Sequence, residues 1–127
     1  MAPGGDRQIA VALAAATDMP WDAQGFNDEG ARLYRAIVPW VDEATPPRLA
    51  ARFWFAVSNL RMQTGTKRQA EAGLKAAELF RSLGDRFWLF MSLTSATYHL
   101  AFADRAAAKR ALTEMDALLD PAWPSWL

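Results

Sequence analysis

Apolar positions recur three and four residues apart along most of the chain, and the breaks between these stretches carry helix start and stop chemistry. Asp6 ahead of Ile9 to Ala16 predicts a first helix ending near Ala16, followed by a connection through Met19-Pro20-Trp21 and Gly25. A second helix is expected from Asn27 or Asp28, with Tyr34, Ile37, Val38 and Val41 as its apolar surface. Pro39 lacks an amide hydrogen and its ring crowds the carbonyl of Arg35, so this helix should kink or stop there. Thr45-Pro46 reads as a cap and first-turn pair for a third helix carrying Leu49 to about Gln63. Thr64-Gly65 closes it.

Thr66-Lys67-Arg68-Gln69 then has the form of a capping box, in which the Gln69 side chain reaches back to the start of the fourth helix. Along that helix Ala70, Gly73, Leu74, Ala77 and Phe80 share a stripe that Leu79 and Leu83 widen. Gly84 suits a left-handed helix end and Asp85 a cap, which predicts a fifth helix from Arg86 towards Leu100. Asp104 starts a sixth, ending near Leu119 before Asp120-Pro121. No stretch alternates as a half-buried strand would. The expected class is all-α, one domain of about three antiparallel helix hairpins at roughly 6–43, 46–83 and 85–119, with a tail over 120–127.

Arg52-Phe53-Trp54 recurs as Arg86-Phe87-Trp88, 34 residues downstream, with Leu49 and Ser58 matched by Leu83 and Ser92 at the same offset. A period of this size marks stacked helix-turn-helix units, each hiding its apolar face against its neighbours. The middle unit resembles a tetratricopeptide repeat: Trp54 stands at the first-helix tryptophan, Val57-Ser58 at the Leu-Gly pair, Gly65 at the turn, and Ala70, Leu74 and Ala77 along the second helix. Gly30, Tyr34 and Ile37 repeat that spacing in the first hairpin, and Ala108, Leu112 and Met115 in the third. The resemblance implies a right-handed superhelical array. Arg61 in place of an aromatic, Ser82 in place of a proline, and a separation of 20 rather than 16 residues between Trp88 and Ala108 mark a divergent version.

A narrower resemblance rests on the small residues Ala10 to Ala16, Gly25 with Glu29-Gly30, the run Glu78 to Arg86, and Asp120-Pro121-Ala122-Trp123-Pro124. Together these look like the helical-repeat region of large bacterial signal-transduction ATPase regulators. That family joins a winged-helix DNA reader and a nucleotide switch to a carboxy-terminal array, so the implied role is a repeat segment of a cytoplasmic transcriptional regulator. The terminal Trp126-Leu127 and the linker-like Met1 to Gly5 fit a piece of a longer protein. An open array end could self-associate, or the tail tryptophans could pack back on the sixth helix.

Charge removes other classes. With 14 basic and 14 acidic side chains and no long run of either sign, the chain lacks the usual electrostatic motive for nucleic acid or an anionic bilayer. It has no cysteine, hence no disulfide or thiolate metal site, and no Gly-rich phosphate loop, since Gly65-Thr66-Lys67 lacks the required spacing. His99, the single histidine, is read as structural or superficial, because Asp104 lies five positions along and off its face. Glu71, Lys75 and Glu78 read as a solvated face with an i,i+4 pair, and Glu114 and Asp116 diverge around their helix. No enzyme, cofactor or metal is expected.

The aromatic residues carry the partner expectation. Trp54 and Trp88 are read as core, which turns the following residue about 100° away, towards the inner concave surface. By resemblance, Arg52, Phe55, Asn59, Met62 and Gln63, continued by Arg86, Leu89, Leu93 and Thr97, would line that groove. Such a lining suits a protein segment or another domain of the parent chain. The alternative is a small-molecule effector enclosed by Phe55, Met62, Leu89 and Leu93. On this reading Arg52 and Asn59 are open surface, and truncating them leaves stability unchanged.

Overall fold

The computed structural model describes residues 3–16, 27–59 and 66–123, and no strand occurs among them. Its helices are α1 (Pro3–Ala16), α2 (Asn27–Ile37), α3 (Pro47–Asn59), α4 (Thr66–Leu83), α5 (Arg86–Ala103) and α6 (Arg105–Leu118), with a short 3-10 turn at Val38–Trp40 after α2. Among these residues no helix is long and apolar enough to cross a membrane.

Most boundaries follow the chemistry of the breaks, and two local readings are corrected. Helix α1 starts at Pro3, ahead of Asp6, since a proline in the first turn forfeits no intrahelical hydrogen bond. Thr45 closes the turn before α3 rather than capping the helix: its Oγ1 accepts from the Asp42 amide at 3.1 Å, and the Asp42 carboxylate accepts from the Ala44 amide at 2.9 Å. Gln69 is buried, and its Nε2 finds no hydrogen-bond partner. Pro39 does end the α2 geometry, with the Val41 amide bonded to the Val38 carbonyl at 3.1 Å in the tighter turn that replaces it.

Junctions in the second half are short and well capped. Gly84, at φ +71°, ends α4: its amide donates to the Arg81 carbonyl and the Asp85 amide to the Phe80 carbonyl at 3.0 Å, the paired bonds of a Schellman turn. Asp85 then caps α5 by accepting from the Trp88 amide at 3.1 Å, and its second oxygen holds Arg48 of α3 at 2.8 Å. Asp104 alone separates α5 from α6 and accepts from the Ala107 amide at 3.1 Å.

Sequential neighbours make the largest interfaces, α4 with α5 first, then α3 with α4 and α5 with α6. Helix α1 lies on α3, and α3 also touches α5 directly. Successive side chains on a helix turn by about 100°, so Phe53 and Phe55 point to nearly opposite sides of α3. Phe53, fully buried, joins Val11, Ala14, Tyr34 and Ile37 in one core, and the Tyr34 hydroxyl donates to the Ala14 carbonyl. Phe55 joins Ala76, Ala77, Phe80, Leu89 and Leu93 in a second. A third, smaller core gathers Ala70, Ala96, Leu100 and Ala108.

Trp54 bridges the first two cores while remaining half-buried, so the central aromatic of α3 is Phe53 and not the tryptophan. Trp88 is likewise half-buried, against Phe55 and Phe80. The tail does fold back, but onto α5: Trp123 packs on Phe87 and Phe90 with centroids 5.8 and 5.3 Å away, whereas Trp126 lies outside the described residues.

Close approach of α4 to both neighbours depends on Gly73. A Cβ there would sit 2.8 Å from the Ser58 Oγ and 2.9 Å from the Ala96 Cβ. Gly73→Ala therefore overfills the junction, and this outweighs the better helix propensity of alanine. The expected loss is about 1 to 2 kcal/mol, measured as a lower urea midpoint at unchanged slope.

Burial pushes the Asp85 carboxyl up, but the Arg48 guanidinium and the Trp88 amide outweigh it and hold the group below the ordinary carboxylate range. The stabilisation is thus complete above about pH 4 and is lost as pH falls through the depressed folded-state value. Asp85→Asn keeps a capping acceptor and removes the charge. Urea titrations should place it below the parent by up to about 1 kcal/mol at neutral pH, with the gap closing in acid.

Candidate interaction surface

The residues expected to line an open groove divide sharply once placed on the helices. Phe55, Leu89 and Leu93 are 8%, 4% and 1% exposed and fill the second core, so they are not open to a partner. With Phe53 and Phe55 as the buried pair on α3, the position after each tryptophan turns inward between helices rather than towards an open surface. Thr97 is half-buried, its hydroxyl 3.8 Å from the Met115 sulfur. Arg86 is exposed and donates to the Leu118 carbonyl at 3.2 Å, closing the end of α6. Met62 and Gln63 lie outside the described residues.

Arg52 and Asn59 have structural partners. The Arg52 guanidinium lies 4.2 Å from the centroid of Trp88, and its Nε is buried without a hydrogen bond. The Lys75 ammonium lies 4.3 Å over Trp54, so each tryptophan of the repeated triplet carries one cation on its face. Lys75 is thereby committed to Trp54 rather than to Glu71.

At the direct contact of α3 with α5 runs a string of polar groups that sequence reasoning missed. Ser95 Oγ donates to Asn59 Oδ1 at 3.0 Å, which leaves it to accept the Ser58 hydroxyl at 2.6 Å. His99 is buried, with Nε2 3.0 Å from the Ser58 carbonyl. A carbonyl only accepts, so Nε2 carries the proton, and the ring secures one of the last carbonyls of α3. Among the described residues no group of three or more His, Asp or Glu side chains could hold a metal ion. The spacing of Ser58, Asn59, Ser95 and His99 held this signal, but only a known α3–α5 register could expose it.

A second feature is the outer face of α5. Helix α5 packs on α3, α4 and α6, yet Tyr98 is 68% and Phe102 79% exposed. The two rings meet edge to face, with centroids 6.0 Å apart and planes at 74°. On α3 the corresponding outward side, Phe53 and Val57, is covered by α1 and α2. On α5, among the described residues, Trp123 covers that side over Phe87 and Phe90, and the aromatic pair further along stays open. Both rings fall off the Leu89, Leu93, Ala96, Leu100 stripe, a phase readable from the sequence.

Compared with family models, curated proteins and solved structures, the chain finds no match.

Arg52→Ala is expected to lower stability by about 1 kcal/mol, through loss of the cation and of the stem packed on Trp88. The tryptophan emission should shift to the red as water reaches the ring. Arg52→Lys should recover part of both changes.

Proposed function

We propose that this chain is an interaction scaffold, a tetratricopeptide-like array of three hairpins that receives a protein partner or another domain of its parent chain. The observation that carries this reading is the Tyr98–Phe102 pair, two large aromatic side chains left open on a helix that packs on α3, α4 and α6. Soluble folds seldom leave clustered aromatic surface uncovered without an interaction to use it. Support for the array comes from the order of packing: first helices α1, α3 and α5 touch in succession, with α4 wedged against both α3 and α5. Within this reading the docking surface moves from the inner groove to the outer face of α5.

A role inside a bacterial transcriptional regulator follows from the resemblance of the helical runs described above. The effector-sensor alternative requires Phe55, Leu89 and Leu93 to enclose a ligand; they are instead packed against Ala76, Ala77 and Phe80.

Tyr98→Ser combined with Phe102→Ser is the test. Both side chains are mostly in water, so the melting temperature should move by no more than a degree or two. Association with the neighbouring domains of the parent chain, read by isothermal titration calorimetry, should fall by about tenfold or more. A large drop in melting temperature, or undiminished association, would overturn the proposal.

A further inference from the structure

We infer that the end of the fold where α5 stops is a docking site for an acidic protein segment carrying an apolar anchor. This rests on the interaction reading above and specifies the chemistry of the partner. Ala70 and Ala108 pack together with Ala96 and Leu100, so the first turns of α4 and α6 flank the last turns of α5. Those first turns carry Lys67 and Arg68 on α4 and Arg105 on α6, with Lys109 and Arg110 one turn further on. All five are exposed, and none is ion-paired with a described residue.

The placement runs against the helices' own electrostatics. A helix amino terminus bears partial positive charge and favours acidic side chains, yet neither α4 nor α6 has one in its first turn. Glu78 near the end of α4 and Asp116 near the end of α6 occupy the opposite, negative ends. Two acids lie near the basic cluster: the Asp104 carboxylate is engaged by the Ala107 amide, and Glu71 sits in the second turn of α4. A chain with no net charge thus concentrates uncompensated cations at one end, where they weaken its helices. Their arrangement suits an acidic occupant that supplies the missing charge.

Tyr98 and Phe102 lie in the last two turns of α5, Phe102 three residues before Arg105 across the one-residue elbow. Exposed and edge to face, the two rings offer aromatic surface on which a branched or aromatic side chain can pack. Bases of a single-stranded nucleic acid stack on flat, successive platforms instead. An acidic peptide with a leucine or phenylalanine anchor matches both the charge and the exposed aromatic surface.

Fluorescence anisotropy with four labelled probes tests this: a peptide of about 12 residues rich in Glu and Asp with Leu and Phe anchors, its Ser/Asn counterpart, its Lys counterpart, and a thymidine oligonucleotide of similar length. The expected result is preferential binding of the acidic peptide, weakened about tenfold between about 50 and 200 mM salt and by Lys67→Glu with Arg105→Glu. Phe102→Ser should weaken it as well. The salt series on the unsubstituted chain decides the matter even if the charge-reversed variant fails to fold. Equal binding of the neutral or Lys peptide, tighter binding of the oligonucleotide, or no binding of the acidic peptide overturns the inference. If association with the parent domains still depends on Tyr98 and Phe102 while the acidic peptide shows no preference, the scaffold reading stands and only the acidic partner falls.

Discussion

Everything in this fold is arranged around the closeness with which α4 lies against α3 and α5. Gly73 has no side chain because Ser58 and Ala96 occupy the space one would fill. That closeness lets α3 and α5 touch each other across α4, which brings Ser58, Asn59, Ser95 and His99 into one hydrogen-bonded string. It also turns α3 into a shared wall, with Phe53 serving one core and Phe55 the next. A helix that must satisfy two cores on opposite sides cannot rotate without emptying one of them.

Polar interactions then tie neighbouring helices at their edges. Arg48 reaches the Asp85 cap, Arg81 grips Glu114 through two hydrogen bonds of 2.9 and 2.7 Å, and Arg86 closes α6. Cations from adjacent helices shield the half-buried tryptophans, Arg52 over Trp88 and Lys75 over Trp54. Exposed pairs of this kind add little stability, but each fixes how two helices are rotated against one another. The arginines read from the sequence as a binding surface are largely spent on this internal bracing.

Helix positions and the all-helical class were legible because Pro39, Gly84, Asp85 and Asp104 each impose a local conformation that tertiary packing did not override. Facing was far less legible. The repeated Arg-Phe-Trp triplet suggested the tryptophan as the buried member, whereas burial on two sides favours the flanking pair Phe53 and Phe55, with the bulkier indole left at the seam. One step of 100° around the helix carried Phe55, Leu89 and Leu93 from an imagined groove into the core. Thr45 misled for a related reason: it had the right chemistry for a cap, but a nearer turn claimed its side chain. The open pair on α5 was not legible, because which sides of that helix are covered depends on how α3, α4 and α6 pack on it.

Asp104 bears a mechanical meaning beyond its role as a cap. With only that residue between two helices of 18 and 14 residues, there is no slack in the elbow. A single inserted residue there would turn α6 about its own axis by about 100°, carrying Ala108 and Ala111 out of contact and swinging the Glu114 grip away from α4. The elbow therefore sets the azimuth of the last helix as firmly as its packing does.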